Sequence, residues 1–372
     1  MRSERGNNSV TDPHFAVRGR TNLSRRASLI AGLAALTLGV GLAGTARAED
    51  LAARLAAAVP PGVRLVIAEQ NDQASIPWTL SKASEGVPYE AEFANFNGGP
   101  AVLEALISGG ADIGYIGEAP LPIAIAAGVE DLVAVALSAN PGTAGNYYVV
   151  AQPDSGIRSV ADLRGRTVAY PPGTGRHMAL ASILHKAGLS LETDVKGVEL
   201  AGAEVAPTFS SRAVDAAVVL GQQYFRIGEP PILADGRGHN WGWNIIVVHK
   251  TLLDDPAKTA AVADFVRRAV QFYNWQRANP DAWIQASYVG QQGLTFEQGK
   301  RLFENDGLGS YYLVDDRAAE VFQEIADGLK ATGALKRDIR IAPYLDPRFN
   351  DIVAWQNQAD GVVPRDLIQP TH

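Results

Sequence analysis

The sequence of 372 residues contains no cysteine. This absence excludes disulfide bonds, cysteine nucleophiles, thiolate metal sites and a lipid-modified cysteine anchor. The stability of the chain must therefore come from the packing of its core and from hydrogen bonds. No metal motif such as His-Glu-x-x-His or a carboxylate-rich calcium loop occurs either. We expect neither a metal nor a cofactor.

Basic residues are also scarce, with 33 Lys and Arg against 40 Asp and Glu and a net charge of −7. The first 48 residues hold seven Arg and two acidic residues, so the rest of the chain has 26 basic and 38 acidic residues and a net charge of −12. No Lys/Arg cluster interrupts this acidic background. Such a chain is a poor candidate for binding nucleic acid.

Long apolar runs are lacking except near the N-terminus. Ser24–Leu29 resembles a twin-arginine export signal, and the apolar segment Ala27–Gly44 leads into Ala46-Arg47-Ala48, a small-x-small cleavage pattern. A membrane anchor is the alternative, but the segment contains several glycines and is barely long enough to span a bilayer. We therefore predict that residues 1–48 are a cleaved export signal and that the remainder is a soluble periplasmic protein.

From residue 63 onward, short apolar runs alternate with amphipathic stretches of helical length. This alternation predicts an α/β fold with mainly parallel sheets flanked by helices. The pattern restarts near Tyr147, is mostly helical after Pro256, and includes a lone predicted strand at Arg340–Ala342 before an irregular tail. Roughly 320 residues exceed what one core usually covers, which favours two domains. Strands are predicted at Arg64–Ala68, Tyr89–Ala94, Ala111–Ile116, Leu132–Ala139, Tyr147–Ala151, Thr167–Tyr170, Val198–Leu200, Ala216–Leu220 and Ile245–His249.

One junction between a predicted strand and a predicted helix carries anion-binding features. It reads Pro-Pro-Gly-Thr-Gly-Arg-His and contains Thr174, Gly175, Arg176 and His177. A helix start leaves backbone N–H groups unpaired and carries about half a positive charge. Thr174 suits the cap, and Arg176 and His177 add cationic or hydrogen-bonding side chains. We interpret the junction as an oxyanion site, although many similar turns have only a structural role.

Polar loops follow several other predicted strands. Ligands of open α/β sheets bind beyond the carboxyl ends of strands, and a cleft between two domains is a common location. The loops would contribute five candidate ligand residues, Gln70, Asn71, Gly117, Glu118 and Gln222. For the carboxylate of Glu118, support of the following helix start is the favoured alternative.

Three segments resemble the aliphatic sulfonate, nitrate and taurine substrate-binding proteins of ABC importers. They are Gly98–Gly128 (GGPAVLEALISGGADIGYIGEAPLPIAIAAG), Asp162–Leu189 (DLRGRTVAYPPGTGRHMALASILHKAGL) and Ala203–Val219 (AEVAPTFSSRAVDAAVV). The resemblance implies a type II periplasmic binding fold, in which two α/β lobes joined by two crossover strands close over a ligand. Lobe I would comprise residues 49–140 and 245–372, and lobe II residues 141–244.

The resemblance also implies a function. Proteins of this family deliver a ligand to a membrane permease driven by a cytoplasmic ATPase and do no chemistry themselves. We expect a monomer that binds a small oxyanion, with an organosulfonate favoured and nitrate or a neutral aromatic solute as alternatives. A desulfinase-like enzyme on the same fold is a further alternative, but the enzymes concerned depend on cysteine chemistry that this chain cannot supply.

The chain departs from the family pattern at two places. Leu220-Gly221-Gln222-Gln223 stands where sulfonate proteins commonly carry a Trp-Asp-Pro-like turn, and Trp241-Gly242-Trp243-Asn244 replaces smaller polar residues. The missing acid removes either a repulsive charge near an anion or a partner for a ligand amine, and the second possibility counts against taurine. Trp241, Trp243 and Asn244 are candidate contacts for the ligand's tail, with packing between the lobes as the alternative.

Overall fold

A computed structural model describes residues 51–140 and 145–367 of the chain. The predicted export signal lies outside these residues. The described residues belong to one compact unit, Ala48–His372. Within the described ranges, no helix combines the length and the apolar character needed to cross a bilayer.

The first sheet contains six strands, β1 (Arg64–Glu69), β2 (Glu90–Asn95), β3 (Ile113–Gly117), β4 (Leu132–Ala139), β10 (Trp243–His249) and β11 (Ser310–Tyr312). Their order is β11-β4-β10-β3-β1-β2. Strand β1 pairs in parallel with β2 and β3, whereas β10 is antiparallel to both β3 and β4, and β11 is antiparallel to β4. All eight residues of β4 are buried, as expected for a strand with both faces covered.

The second sheet contains five strands, β5 (Tyr147–Ala151), β6 (Thr167–Tyr170), β7 (Lys196–Glu199), β8 (Ala216–Leu220) and β9 (Ile232–Asp235). Their order is β7-β6-β8-β5-β9. Strands β6, β7 and β8 run parallel, while β5 is antiparallel to β8 and β9. The chain thus leaves the first sheet after β4, builds the second sheet, and returns through β10.

Helices cover both sheets. They are α1 (Ser75–Leu80), α2 (Gly99–Ile107), α3 (Pro120–Ala126), α4 (Gly175–Lys186), α5 (Val205–Ser210), α6 (Gly221–Arg226), α7 (Pro256–Ala278), α8 (Pro280–Trp283), α9 (Phe296–Asp306), α10 (Asp316–Ala331) and α11 (Asn350–Ala359). A π-helix spans Ile284–Gln291, and short 3₁₀ turns lie at Val160–Leu163, Lys250–Asp254, Ala342–Tyr344 and Pro347–Phe349. Helix α7 starts at Pro256, where the preceding Asp255 accepts hydrogen bonds from the backbone N–H groups of Ala257 and Lys258, and it ends at Ala278, two residues before Pro280.

The apolar side chains form clusters on the faces of each sheet. Trp243 and Phe322 lie in one cluster of the first sheet, and Phe265 lies in the cluster on its other face. Leu294 and Leu302, from the C-terminal part of the chain, pack into a cluster of the second sheet. The segment around α9 therefore contacts the second sheet. The division into lobes at residues 140 and 245 stays a prediction.

The expected fold class is confirmed, because helices flank two separate sheets and the chain crosses between these sheets twice. The predicted strand at Arg340–Ala342 is wrong: Ile341 packs into the core, but the segment forms no strand. Strands β9 and β11 and helix α11 had not been predicted. Both strands lie at sheet edges and have only three or four residues, so neither shows a readable alternation in the sequence.

Candidate functional site

A cavity of about 370 Å³ lies where loops of the two sheets meet, and we call it the arginine cavity. The loops after β1 and β2 contribute Gln70, Asn71, Phe96, Asn97 and Gly98. The second sheet and its helices contribute Arg176, Gly202, Ala203, Ala206, Pro207, Ser210, Leu220, Gln222, Gln223, Arg226 and Ile227. Both sheets present the carboxyl ends of their parallel strands here, as the topology requires.

Arg176 is the buried cation of this cavity. It is the second residue of α4 and only 7% exposed. Its Nη1 donates to Gln223 Oε1 at 2.9 Å, and Nη1 and Nη2 both donate to the carbonyl of Gly202 at 3.4 and 3.3 Å. A Cβ on Gly202 would lie 2.6 Å from Nη2, so a glycine is needed for this close approach. Burial lowers the pKa of Arg176 to about 10, which leaves the side chain charged at neutral pH.

In the part of the chain that the structure describes, no acid balances the charge of Arg176. None of the described residues that border the arginine cavity is a carboxylate, and none of the ion pairs among them involves Arg176. Five amide side chains also border it, those of Gln70, Asn71, Asn97, Gln222 and Gln223. A buried cation without a counter-charge is unfavourable unless a ligand supplies one. The cavity is therefore suited to an anion that accepts charge-assisted hydrogen bonds.

A second cavity of about 280 Å³ adjoins the first and shares Gln70, Asn71, Leu220 and Gln222 with it. We call it the aspartate cavity because Asp306, the last residue of α9, borders it. Burial raises the pKa of Asp306 to about 7, against hydrogen bonds from Asn146 and Tyr288 that lower it. Its other lining residues are Gln73, Gly117, Asn140, Asn146, Tyr147, Asn240, Gly242, Trp243, Asn244, Tyr288, Gln292 and Leu302.

The start of α4 has local hydrogen bonds of its own. Thr174 Oγ1 accepts from the backbone N–H of His177 at 3.4 Å and donates to the carbonyl of Pro171 at 2.9 Å. His177 Nδ1 accepts from the backbone N–H of Gly173 at 3.2 Å. Burial lowers the pKa of His177, so the imidazole is neutral at pH 7. Its side chain thus orders the turn and brings no cation to it.

Glu118 links the end of β3 to the segment before β10. Its carboxylate accepts hydrogen bonds from the backbone N–H groups of Trp241, at 3.0 and 3.1 Å, and Trp243, at 3.0 Å. Burial raises the pKa of Glu118 to about 7, while these bonds lower it. The indole of Trp243 packs against Tyr312 and Phe322 with ring-centroid distances of 5.6 and 5.2 Å. Trp243 therefore packs within a core cluster of the first sheet, and both its ligand contact and the alternative of packing between the lobes stay predictions.

The structure brings seven of the twelve candidate residues to the two cavities: Gln70, Asn71, Gly117, Arg176, Gln222, Trp243 and Asn244. It does not bring Glu118, Thr174, Gly175, His177 or Trp241 to either one. Trp241 instead borders a separate cavity beside His239 and Glu324. The ligand-binding role of all twelve stays a prediction. Among the described residues, no group of three His, Cys, Asp or Glu side chains is arranged to hold a metal ion.

Four residues that border the cavities were absent from the candidates: Gln223, Asn97, Tyr147 and Asp306. Gln223 follows Gln222 in the same turn, and the sequence did not show which amide faces Arg176. Asp306 is the last residue of α9 and lies about 160 residues from Asn146 in the sequence. Only the polar Asn305-Asp306-Gly307 ending of that helix could have drawn attention to it.

Comparison with known proteins adds independent information. Residues 79–235 match the family model described as "ABC transporter, phosphonate, periplasmic substrate-binding protein". A putative aliphatic sulfonates-binding protein of Escherichia coli (strain K12) is 35% identical over 151 residues, which are 40% of this chain and 46% of that protein. The match therefore spans less than half the length of this curated relative.

Solved structures match over most of the chain. The alkanesulfonate-binding protein of Xanthomonas axonopodis pv. citri, bound to MOPS, has a TM-score of 0.69 and 24% identity, over 77% of this chain and 99% of that one. The periplasmic aliphatic sulphonate binding protein of Escherichia coli has a TM-score of 0.61 and 25% identity, over 76% of this chain and 92% of that one. The fold is thus the type II periplasmic binding fold. The chain therefore shares the fold of these periplasmic binding proteins, and residues 79–235 match the periplasmic substrate-binding family model.

Proposed function

We propose that this protein is the periplasmic substrate-binding component of an ABC importer for a small organic oxyanion, with an aliphatic or aryl sulfonate as its ligand. The ligand is captured between the two sheets and delivered to a permease in the inner membrane. The protein acts as an exported monomer, without a cofactor and without chemistry of its own. Its matched relatives carry binding-protein names, which supports this proposal.

The buried guanidinium of Arg176 is the observation that carries the proposal. None of the described residues that line its cavity is a carboxylate, and amide side chains that can donate hydrogen bonds lie beside it. Among the described residues, Arg176 donates through Nη1 and Nη2 to Gly202 and Gln223, which leaves Nε and a second Nη2 hydrogen for a ligand. Apolar side chains of Phe96, Pro207 and Ile227 border the same space and suit a hydrocarbon tail.

The energy required is within reach of such a cavity. Micromolar affinity corresponds to about 8 kcal/mol. Charge-assisted hydrogen bonds contribute about 1.5–3 kcal/mol each, and burial of a short alkyl chain adds about 0.8 kcal/mol per CH₂, before the ordering costs of binding are subtracted. A few contacts to Arg176 and the neighbouring amides are therefore sufficient.

Isothermal titration of the ligand-stripped protein tests the proposal. The panel contains propanesulfonate, propyl sulfate, propylphosphonate and nitrate, with propanesulfonamide as the uncharged control of nearly the same shape. We expect micromolar binding of propanesulfonate and no measurable binding of the sulfonamide, because only the anion compensates Arg176.

Two outcomes would overturn the proposal. The first is the absence of both heat and thermal stabilisation for every oxyanion at millimolar concentration. The second is equal binding of the sulfonamide and the sulfonate, since a cavity that ignores the charge is a receptor for neutral solutes. Release of sulfite from an aryl sulfinate or sulfonate during the titration would instead identify an enzyme.

A further inference from the structure

The chain enters β10 through the segment Asn240–Asn244, which we call the crossover turn. Four of its five residues border the aspartate cavity, namely Asn240, Gly242, Trp243 and Asn244. Trp241 borders the separate cavity beside His239 instead. The crossover turn thus forms a wall between two cavities, and the position of its backbone determines the shape of the aspartate cavity on that side.

The carboxylate of Glu118 accepts hydrogen bonds from three successive backbone N–H groups of this turn. The N–H of Trp241 donates to Oε1 at 3.0 Å and to Oε2 at 3.1 Å, that of Trp243 donates to Oε2 at 3.0 Å, and that of Gly242 donates as well. Gly242 has a φ of +71°, in the left-handed region that favours glycine. Turns of this kind direct successive N–H groups toward one point and bind anions there. The carboxylate therefore occupies an anion-binding nest made by the crossover turn.

Glu118 is dedicated to this turn. It directly follows β3 and is 3% exposed. The start of α3 receives no side-chain hydrogen bond, so Glu118 does not cap the helix that follows it. The neighbouring Gly117 borders the aspartate cavity, but Glu118 borders neither cavity. Any influence of its carboxylate on the geometry of the site is therefore exerted through the crossover turn.

We propose that Glu118 is a positioning residue for ligand binding, because its ionised carboxylate holds the crossover turn in the conformation in which Gly242 and Asn244 border the cavity. This inference rests on the proposed function and gives a role in it to a side chain that does not touch the ligand. A neutral amide at position 118 would present donor hydrogens to the same N–H groups and would have one acceptor oxygen instead of two. It would therefore hold the turn less firmly.

The substitution Glu118→Gln tests the proposal by isothermal titration with propanesulfonate at pH 8. Repulsion between the carboxylate and an anion would weaken binding in the wild type, whereas positioning of the turn strengthens it, so the two effects have opposite signs. We expect Glu118→Gln to bind about 10–100-fold more weakly, the range of one charge-assisted hydrogen bond.

Asp112→Asn is the matched control for this substitution. Asp112 directly precedes β3, so it lies at the opposite end of the strand from Glu118, and it borders neither cavity. Its Oδ2 also accepts a backbone hydrogen bond, from the N–H of Val66 at 2.8 Å. The control should keep the wild-type affinity, because its carboxylate holds no part of the crossover turn.

The wild type offers a second measurement. The amide NMR signals of Trp241 and Trp243 should report the ionisation of Glu118, because both N–H groups donate to its carboxylate. By linkage, a ligand that binds tenfold more tightly to the ionised form lowers the pH midpoint of this titration by about one pH unit. Repulsion alone would raise the midpoint. We therefore expect propanesulfonate to lower it.

Other titrations can be kept apart from that of Glu118. Among the described residues, burial and the backbone N–H groups of the turn shift the pKa of Glu118, and no charged side chain does. Tyr147 senses the charge of Glu118, but burial raises the pKa of its hydroxyl and keeps it neutral near pH 7. Asp306 has a pKa of about 7 and borders the same cavity, and the side-chain amide of Asn146, which donates to it, reports its titration separately.

The outcomes separate this inference from the proposed function. An affinity of Glu118→Gln that equals or exceeds that of the wild type, or a midpoint that the ligand leaves unchanged or raises, overturns the positioning role and leaves the receptor function intact. If Glu118→Gln fails to fold, the wild-type midpoint decides the question. Failure of the wild type to bind propanesulfonate overturns the proposed function for alkanesulfonates, and this inference with it.

Discussion

Replacement of Arg176 by methionine should weaken ligand binding and, at the same time, stabilise the ligand-free protein. Methionine has a similar length and flexibility but no charge, so it fills the same buried volume. The two effects have opposite signs because the buried charge of Arg176 favours ligand binding but disfavours the folded state without ligand. Few structural residues behave in this way.

The stability effect follows from the burial of the charge. Burial lowers the pKa of Arg176 from 12.5 to about 10. This difference in pKa means that burial disfavours the charged form of Arg176 in the folded state by about 3 kcal/mol. The penalty is present throughout neutral pH because both pKa values lie above it. The acceptors of Arg176 keep other donors: Gln223 Nε2 donates to the carbonyl of Gly202 at 3.0 Å, and the backbone N–H of Leu220 donates to Gln223 Oε1 at 3.1 Å. We expect a gain of about 1–3 kcal/mol.

The affinity effect follows from the donors that remain for a ligand. Loss of two charge-assisted hydrogen bonds, at about 1.5–3 kcal/mol each, lowers the affinity for a sulfonate by roughly 10²–10⁴-fold. Thermal unfolding of the ligand-free protein and isothermal titration with propanesulfonate measure the two effects separately.

Arg164→Met is the matched control, since Arg164 is exposed and pairs with Asp194 on the surface. It should change neither the affinity nor, by more than about 1 kcal/mol, the stability. A variant Arg176→Met that is strongly destabilised yet binds the sulfonate as the wild type does would refute the reasoning, because Arg176 would then stabilise the fold and not the ligand.

Three further predictions concern the surroundings of the cleft. Burial raises the pKa of Glu118 from 4.5 to about 7, so its contribution to stability is fully present below about pH 4.5 and is lost as the pH rises to about 7. In denaturant titrations, the difference in unfolding free energy between wild type and Glu118→Gln should therefore shift by about 2.5 kcal/mol between pH 5 and pH 8, and a constant difference would contradict this. In Gly202→Ala, the added Cβ would push the guanidinium of Arg176 away, so titration calorimetry should show at least about tenfold weaker sulfonate binding with little loss of stability. An unchanged affinity would count against the assigned position of the guanidinium. Thr174→Ala removes the side-chain cap on the N–H of His177 and should lower the unfolding free energy by about 1 kcal/mol. The comparison is Thr79→Ala, because the Thr79 hydroxyl donates to the carbonyl of Ser75 in its own helix and caps no helix start.

The amino-acid sequence determined the features that depend on local pattern. The sequence predicted the alternation of short strands and helices, the cap at Thr174 and the loops that follow strands at Gln70 and Gly117. It also established the absence of cysteine. Physically, these features follow from periodicity, capping and composition, which act over a few residues. They were enough to predict the fold class and to select Arg176.

Only the tertiary structure decided which side chains meet. Asp306 approaches Asn146 from about 160 residues away, and Gly202 makes room for a guanidinium that belongs to a helix 26 residues earlier. It also showed that His177 turns back into its own helix start, where burial lowers the pKa of the imidazole, and that the indole of Trp243 packs in a core. Such outcomes depend on how helices pack on two separate sheets and on which side chains this packing buries. Burial in turn determines the direction in which each pKa shifts. The sequence alone therefore predicted an anion site, and the fold decided which amide and charged side chains line the cavity around Arg176.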